Sequence, residues 1–362
     1  MKALFAFAAT ALALVATPAA AQETARLSWQ TMHSPAMEGN VEGNSADRTV
    51  LVVTPPGYDE NPTKRYPVVY FLHGYWATPQ MYQDMAKFEE AVQGAAEAGN
   101  EVILVMPDGH SKLKGGFYSN SPTVGNYEAM VGEDLVKWVD AKYRTIASRE
   151  GRGLSGHSMG GYGTLRVGMT YPETFDSLFA MSACCLAPMS ITAENAARIE
   201  KMTDEDAAKA DFGGLASVST LATWAPDPAN PPLYVDTGLG EDGKLDPLVN
   251  AKLAANAMLA WVPSHLPALK SFDAIALDIG DKDFLLDQNV QLHEELTRFG
   301  VEHEWELFEG DHGNRVNARI RSELLPFFGQ HLDRRSARHR WTRPFTSSTN
   351  AVPASSSSAP EP

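Results

Sequence analysis

A layered α/β fold, with a mostly parallel sheet flanked by helices, is predicted by three features of this 362-residue chain. Short β-branched runs alternate with amphipathic stretches of helical period, the pattern of strand–helix–strand units whose sheet is covered on both faces. One such unit carries Gly156-His157-Ser158-Met159-Gly160-Gly161, a G-x-S-x-G turn between a strand and a helix. An aspartate and a histidine then follow later strands, in the chain order that a serine nucleophile on this kind of sheet requires.

Taken in order, the chain opens on Met1-Lys2, runs apolar from Ala3 to Val15, and reaches Ala19-Ala20-Ala21 before Gln22. A positive start, a short apolar run and a small-x-small site describe a secretory signal peptide over residues 1–21, with export after cleavage near Ala21. The apolar run is too short to span a bilayer comfortably and none like it follows, so no stable membrane insertion is expected; a retained membrane anchor is the alternative. Residues 22–333 hold 24 basic and 44 acidic side chains, a net charge of about −20. That charge opposes binding to nucleic acid. The length suits one large α/β domain or one domain with a cap. Residues 334–362 form a basic tail, with Arg334, Arg335, Arg338, Arg340 and Arg343 ahead of a Ser355–Ser358 run. Such composition cannot bury a core and predicts disorder.

Strands are expected at Thr49–Thr54, Val68–Leu72, Val102–Met106, Gly153–Ser155, Ser177–Ser182, Leu233–Asp236, Ala274–Ile279 and Glu302–Phe308. Helices are expected at Met81–Ala98, Tyr127–Tyr143, Met159–Thr170, Pro247–Trp261, Asn289–Phe299 and Asn314–Leu332. Pro172 stops the helix that begins at the G-x-S-x-G turn. The region from about 189 to 261, with an acidic patch near Glu200 and a Pro-rich segment after Trp224, reads as an insertion forming a partial cap. A surface excursion without function is the alternative.

The chemistry centres on Ser158. A sharp strand-to-helix turn strains the serine backbone and crowds its flanks, so the positions two before and two after must be small, as Gly156 and Gly160 are. The helix that follows points its amides and dipole at the serine. A serine nucleophile needs a base, and the base an orienting carboxylate. Gly280-Asp281-Lys282-Asp283 follows the strand at Ala274, and Glu309-Gly310-Asp311-His312 follows the last strand. Both loops fall at the C-terminal sheet edge, where open α/β folds bind ligands. His312 is then the base and Asp283 its partner. Asp242 follows an earlier strand and is the rival acid; Asp281 faces elsewhere. His157 points away from its neighbour serine, while His293 and His303 read as solvent-exposed. Oxyanion donors are expected at the amides of Met159 and of Tyr75, the latter in Phe71-Leu72-His73-Gly74-Tyr75-Trp76. Tyr75, Trp76, Tyr118 and Trp224 are candidates to line a pocket. Asp236, Asp242 and Asp246 miss the spacing of a calcium loop, and no metal or organic cofactor is expected. Cys184 and Cys185 are adjacent, a geometry that a relaxed disulfide rarely meets, and read as packed thiols rather than a redox pair.

Val105-Met106-Pro107-Asp108-Gly109, Gly116-Phe117-Tyr118-Ser119-Asn120-Ser121-Pro122, Tyr127-Glu128, Glu133-Asp134-Leu135, Val139-Asp140 and Tyr143-Arg144-Thr145-Ile146 lead into the serine turn. That succession resembles the putative-esterase family of α/β-hydrolases, which includes esterase D, feruloyl and acetyl-xylan esterases, enterochelin esterase and the antigen 85 acyltransferases. The resemblance covers roughly 50–332. It implies the α/β-hydrolase fold, Ser158 as nucleophile, Asp283 as the acid of G-x-x-D, His312 as base, and Tyr75 beside Met159 in the oxyanion hole. The region 189–261 is longer than in simple members, with an extra strand at Leu233–Gly238. The expected protein is an exported serine hydrolase that cleaves small-molecule carboxylic esters through an acyl-enzyme. An acyltransferase and a catalytically silent binding module are the alternatives.

Overall fold

The computed structural model describes residues 23–332; the expected signal peptide and tail lie outside the described residues. Eight strands form one sheet: β1 (Arg26–His33), β2 (Asp47–Thr54), β3 (Val68–Leu72), β4 (Ile103–Pro107), β5 (Arg152–His157), β6 (Ser177–Met181), β7 (Ala274–Gly280) and β8 (Glu304–Phe308). Their spatial order is β1-β2-β4-β3-β5-β6-β7-β8. The pairs from β4 to β8 are parallel, while β2 runs antiparallel to both β1 and β4.

Every residue of β3, β4 and β6 is buried, because helices cover both sheet faces. This is why these strands read as unbroken apolar runs. One core contains Met159, Tyr162, Leu165, Val167 and Met169 of the helix Met159–Thr170. The opposite core contains Phe88 and Val92 of the helix Phe88–Glu97 and Leu325 and Phe328 of Leu325–His331.

Four local expectations are corrected. Leu233–Asp236 is not a sheet strand: Val235 makes only an isolated bridge with Pro226. The segment is apolar enough for a strand, but the parallel sheet passes directly from β6 to β7. Strand β1 has no counterpart in the expectations. It is an antiparallel edge strand whose residues are mostly exposed or half-buried, so it lacks the apolar run that marks its neighbours. The helix expected over Met81–Ala98 breaks at Lys87, whose φ of 50° is left-handed, into Pro79–Ala86 and Phe88–Glu97. A two-residue hairpin, Asn120–Ser121 with Gly125–Asn126, also lies in the loop before Tyr127.

The region 189–261 forms helices at Ala193–Ile199, Asp204–Lys209, Phe212–Trp224, Pro247–Ala254 and Met258–Trp261. Four have a side-chain cap: Thr192, Thr203, Asp211 and Asp246 each accept a backbone N–H of the first turn, satisfying amides that the helix leaves unpaired. The longest of them is tied to the loop before Tyr127. Ser219 donates to the Gly115 carbonyl at 2.7 Å, and Ser121 donates to the Ala222 carbonyl at 2.7 Å. Phe212 projects from the start of that helix onto Tyr75 and Trp76.

Candidate active site

Ser158 lies between β5 and the helix Met159–Thr170 with φ 60° and ψ −115°, a conformation that costs a non-glycine residue energy and persists only where its surroundings enforce it. The enforcement is visible at the flanking glycines. A Cβ on Gly156 would lie 2.4 Å from the Gly160 carbonyl oxygen, and one on Gly160 would lie 1.9 Å from that of Leu72. Neither position has room for any side chain. The Ser158 N–H donates to Met181 O at 2.9 Å, and its carbonyl accepts from Tyr162 N and Cys184 N at 3.0 and 3.1 Å. The serine is thereby held to the end of β6 as well as to its own helix.

The β7 and β8 loops bring the other two groups to it. His312 Nε2 lies 2.9 Å from Ser158 Oγ, and His312 Nδ1 lies 2.8 Å from Asp283 Oδ2. A carboxylate only accepts, so Nδ1 carries the proton and the Nε2 lone pair faces the hydroxyl. The Asp283 side chain is fully buried. Burial alone would push its carboxyl up, yet the hydrogen bond from His312 and that from Leu285 N–H hold it below the usual carboxylate range. The second oxygen, Oδ1, accepts from Leu285 N–H at 2.9 Å. Asp281 instead accepts the Gly310 amide at 2.9 Å, and Asp242 is an exposed turn residue paired with Lys244. Neither reaches the histidine.

Gly74 brings the loop after β3 against Ser158; a Cβ there would lie 3.4 Å from Ser158 Cβ. Tyr75 follows directly. Met159 is the first residue of its helix, so its N–H has no carbonyl partner within the helix. Among the described residues, no backbone carbonyl outside regular elements accepts the amide of Tyr75 or of Met159. The Tyr75 ring stacks on Phe117 with centroids 5.4 Å apart, and Trp76 stacks on Phe212 at 5.9 Å. Tyr118 and Trp224, grouped with them from sequence, are core residues instead. Phe284 stands over the opposite side: its ring centroid is 4.7 Å from that of His312 and the residue is 74% exposed.

His73, His293 and His303 have partners of their own outside the Ser158–His312–Asp283 group. His293 and His303 are half-buried rather than exposed, 2.8 Å apart, with His293 stacked on Trp305. His73 is buried and accepts the Gly109 amide. Cys184 and Cys185 are free thiols with sulfurs 2.7 Å apart, and burial pushes the Cys184 thiol up. Sequence reasoning missed that Cys184 supplies a backbone donor to Ser158, and that His157 and Tyr82 pack behind it; no motif marks a contact made by backbone or by residues 75 positions apart. Among the described residues, no cluster of three or more potential ligands could hold a metal ion, and no helix is long and apolar enough to cross a membrane.

A sheet of this order, with a serine on a strained turn after β5 and loops from β7 and β8 meeting it, defines an α/β-hydrolase. Residues 43–316 match the family described as Putative esterase, and the chain belongs to that family. Esterase Rv1288 and Esterase MT1326, from two strains of Mycobacterium tuberculosis, are each 36% identical over 132 residues, 35% of this chain. The matched stretch spans only 27% of the length of these curated relatives. Among solved structures, a ferulic acid esterase superposes with a TM-score of 0.61 at 20% identity, covering 86% of this chain and all of the other. The Staphylococcus aureus fluorophosphonate-binding serine hydrolase FphF gives 0.57 at 17%, covering 86% and 99%. Mycobacterium tuberculosis MPT51 gives 0.52 at 16%, covering 87% and 100%. At these identities the likeness is one of fold.

Proposed function

We propose that this protein is an exported serine hydrolase that cleaves small-molecule carboxylic esters through an acyl-enzyme on Ser158. The observation that carries the reading is the unbroken chain of hydrogen bonds from Ser158 Oγ through His312 to the buried Asp283 carboxylate. His312 Nε2 takes the Ser158 proton as Oγ attacks the ester carbonyl carbon. The tetrahedral oxyanion lies between the amides of Tyr75 and Met159, donors that contribute on the order of 10²–10³ in rate each. Asp283 stabilises the imidazolium, which returns its proton to the departing alcohol oxygen as the C–O bond breaks. Water then attacks the acyl-enzyme, again losing a proton to His312, and the carboxylic acid leaves with Ser158 restored. The scheme calls on no metal or organic cofactor. Export rests on the pattern of residues 1–21, and a mature chain beginning at Gln22 in the culture medium or periplasm is the expected product.

Initial rates on p-nitrophenyl esters of increasing chain length, compared for wild type and Ser158→Ala, test the reading. Loss of more than about 10³-fold in kcat is expected on removing the nucleophile. Full turnover by Ser158→Ala refutes it. Repeating the assay with an acceptor alcohol separates hydrolysis from acyl transfer.

A further inference from the structure

Beside the groups that would meet substrate runs a second chain of hydrogen bonds, buried except at its His312 end. The Gly74 N–H donates to Tyr82 Oη at 3.1 Å, Tyr82 Oη lies 2.7 Å from His157 Nδ1, and His157 Nε2 lies 2.7 Å from the backbone carbonyl oxygen of His312. Its direction is settled by one end. A carbonyl can only accept, so Nε2 of His157 carries the proton, Nδ1 of the neutral ring is left as an acceptor, and the Tyr82 hydroxyl donates to it. Gly74 N–H then reaches the free lone pair of the same hydroxyl. Each group donates onward without conflict, an arrangement in which the bonds reinforce one another.

The chain joins four segments: the loop after β3, the helix Pro79–Ala86, the end of β5 and the loop after β8. Gly74 precedes Tyr75, whose amide faces the proposed oxyanion site. His312 is the proposed base, and His157 adjoins the nucleophile in sequence. The ring centroids of His157 and His312 are only 4.7 Å apart. Burial, followed by the charge that His312 can carry, pushes His157 down to about 3. The ring therefore stays neutral, and keeps its donor on the His312 carbonyl, while its neighbour gains and loses a proton.

We infer that His157, through Tyr82, is a positioning residue that sets the oxyanion loop and the His312 loop in register around Ser158. This rests on the proposed serine-hydrolase reading, and it extends it to two side chains that touch no substrate. A displacement of about 1 Å in such a site costs on the order of 10²-fold in rate.

The test uses kcat and KM on a p-nitrophenyl ester for wild type, Ser158→Ala, Tyr82→Phe, His157→Ala, His157→Gln and the double variant Tyr82→Phe/His157→Ala, with thermal melting of each. His157→Ala is expected to lower kcat about 10²-fold with KM within about threefold. Tyr82→Phe keeps the ring and removes only the hydroxyl, and about a tenfold loss is expected. His157→Gln, which can still donate to the carbonyl, recovers part of the rate. The double variant is no worse than His157→Ala, since both act through one chain. Should His157→Ala not fold, Tyr82→Phe decides alone. Retention of wild-type kcat by Tyr82→Phe, additive losses, or a rise in KM at constant kcat each overturns the inference. The proposed function itself fails only if wild type is inactive on every ester tried or Ser158→Ala remains active.

Discussion

Replacing Asp283 with asparagine removes a charge while leaving shape almost unchanged, and the local geometry fixes what the amide must then do. Oδ1 of Asp283 accepts the Leu285 N–H at 2.9 Å, a backbone donor that cannot turn away. The asparagine oxygen therefore takes that side and its NH₂ faces His312 Nδ1, now 2.8 Å from a donor. His312 answers by moving its proton to Nε2, where it confronts Ser158 Oγ with a hydrogen in place of a lone pair. The proposed base is lost though every residue stays in position. Such a tautomer reversal costs on the order of 10⁴ in kcat, or about 5.4 kcal/mol at 1.36 kcal/mol per decade. Steady-state rates on p-nitrophenyl acetate, with Asp242→Asn as a matched control, measure it. Asp242 is exposed and paired only with Lys244, so its variant is expected within about twofold of wild type. The reasoning is refuted if Asp283→Asn keeps more than a tenth of wild-type kcat, or if Asp242→Asn is the more damaged protein.

Two further outcomes follow from packing and from charge. Gly160→Ala sets a Cβ 1.9 Å from the Leu72 carbonyl oxygen, an overlap with backbone that side-chain rearrangement cannot relieve; destabilisation above the usual ~1–3 kcal/mol for overpacking is expected in thermal or urea unfolding. Gly213→Ala, in the helix Phe212–Trp224 with open space around it, is the contrasting variant and should gain about 0.4–1 kcal/mol. His331 is raised to about 9 by its hydrogen bond to Asp273 and then by the Glu304 carboxylate 3.6 Å away, above its ordinary value of 6.5. The stabilisation is thus fully present below pH 6.5 and is lost as pH rises through about 9. Melting temperatures of wild type and His331→Gln should accordingly differ most at pH 6 and converge above pH 9; a gap that widens with pH would contradict the assignment.

Much of the site was legible in the linear chain because its logic is local. The glycines around Ser158 are demanded by a turn of a few residues, and the loops after β7 and β8 bear Asp283 and His312 within short strand–helix–strand units. Buried parallel strands announced themselves as apolar runs for the same reason. Edge strand β1 did not, since an antiparallel strand with a mostly uncovered face carries no such run. Leu233–Asp236 misled for the opposite reason: Leu233 and Val235 are buried in the core, as strand residues would be, without joining the sheet. Tyr118 and Trp224 looked like loop aromatics and proved to be core.

From the order of its residues alone, this chain determined the class of fold and marked Ser158 and His312 as candidates, since turn sterics and strand succession act over short spans. Which of Asp242 and Asp283 meets the histidine, and that His157 is engaged with Tyr82 and the His312 backbone, were decided only in three dimensions. Hydrogen bonds have a reach of about 3 Å, and residues 29, 75 and 155 positions apart come within it because the sheet sets its strand ends side by side and the helix Pro79–Ala86 packs Tyr82 against them.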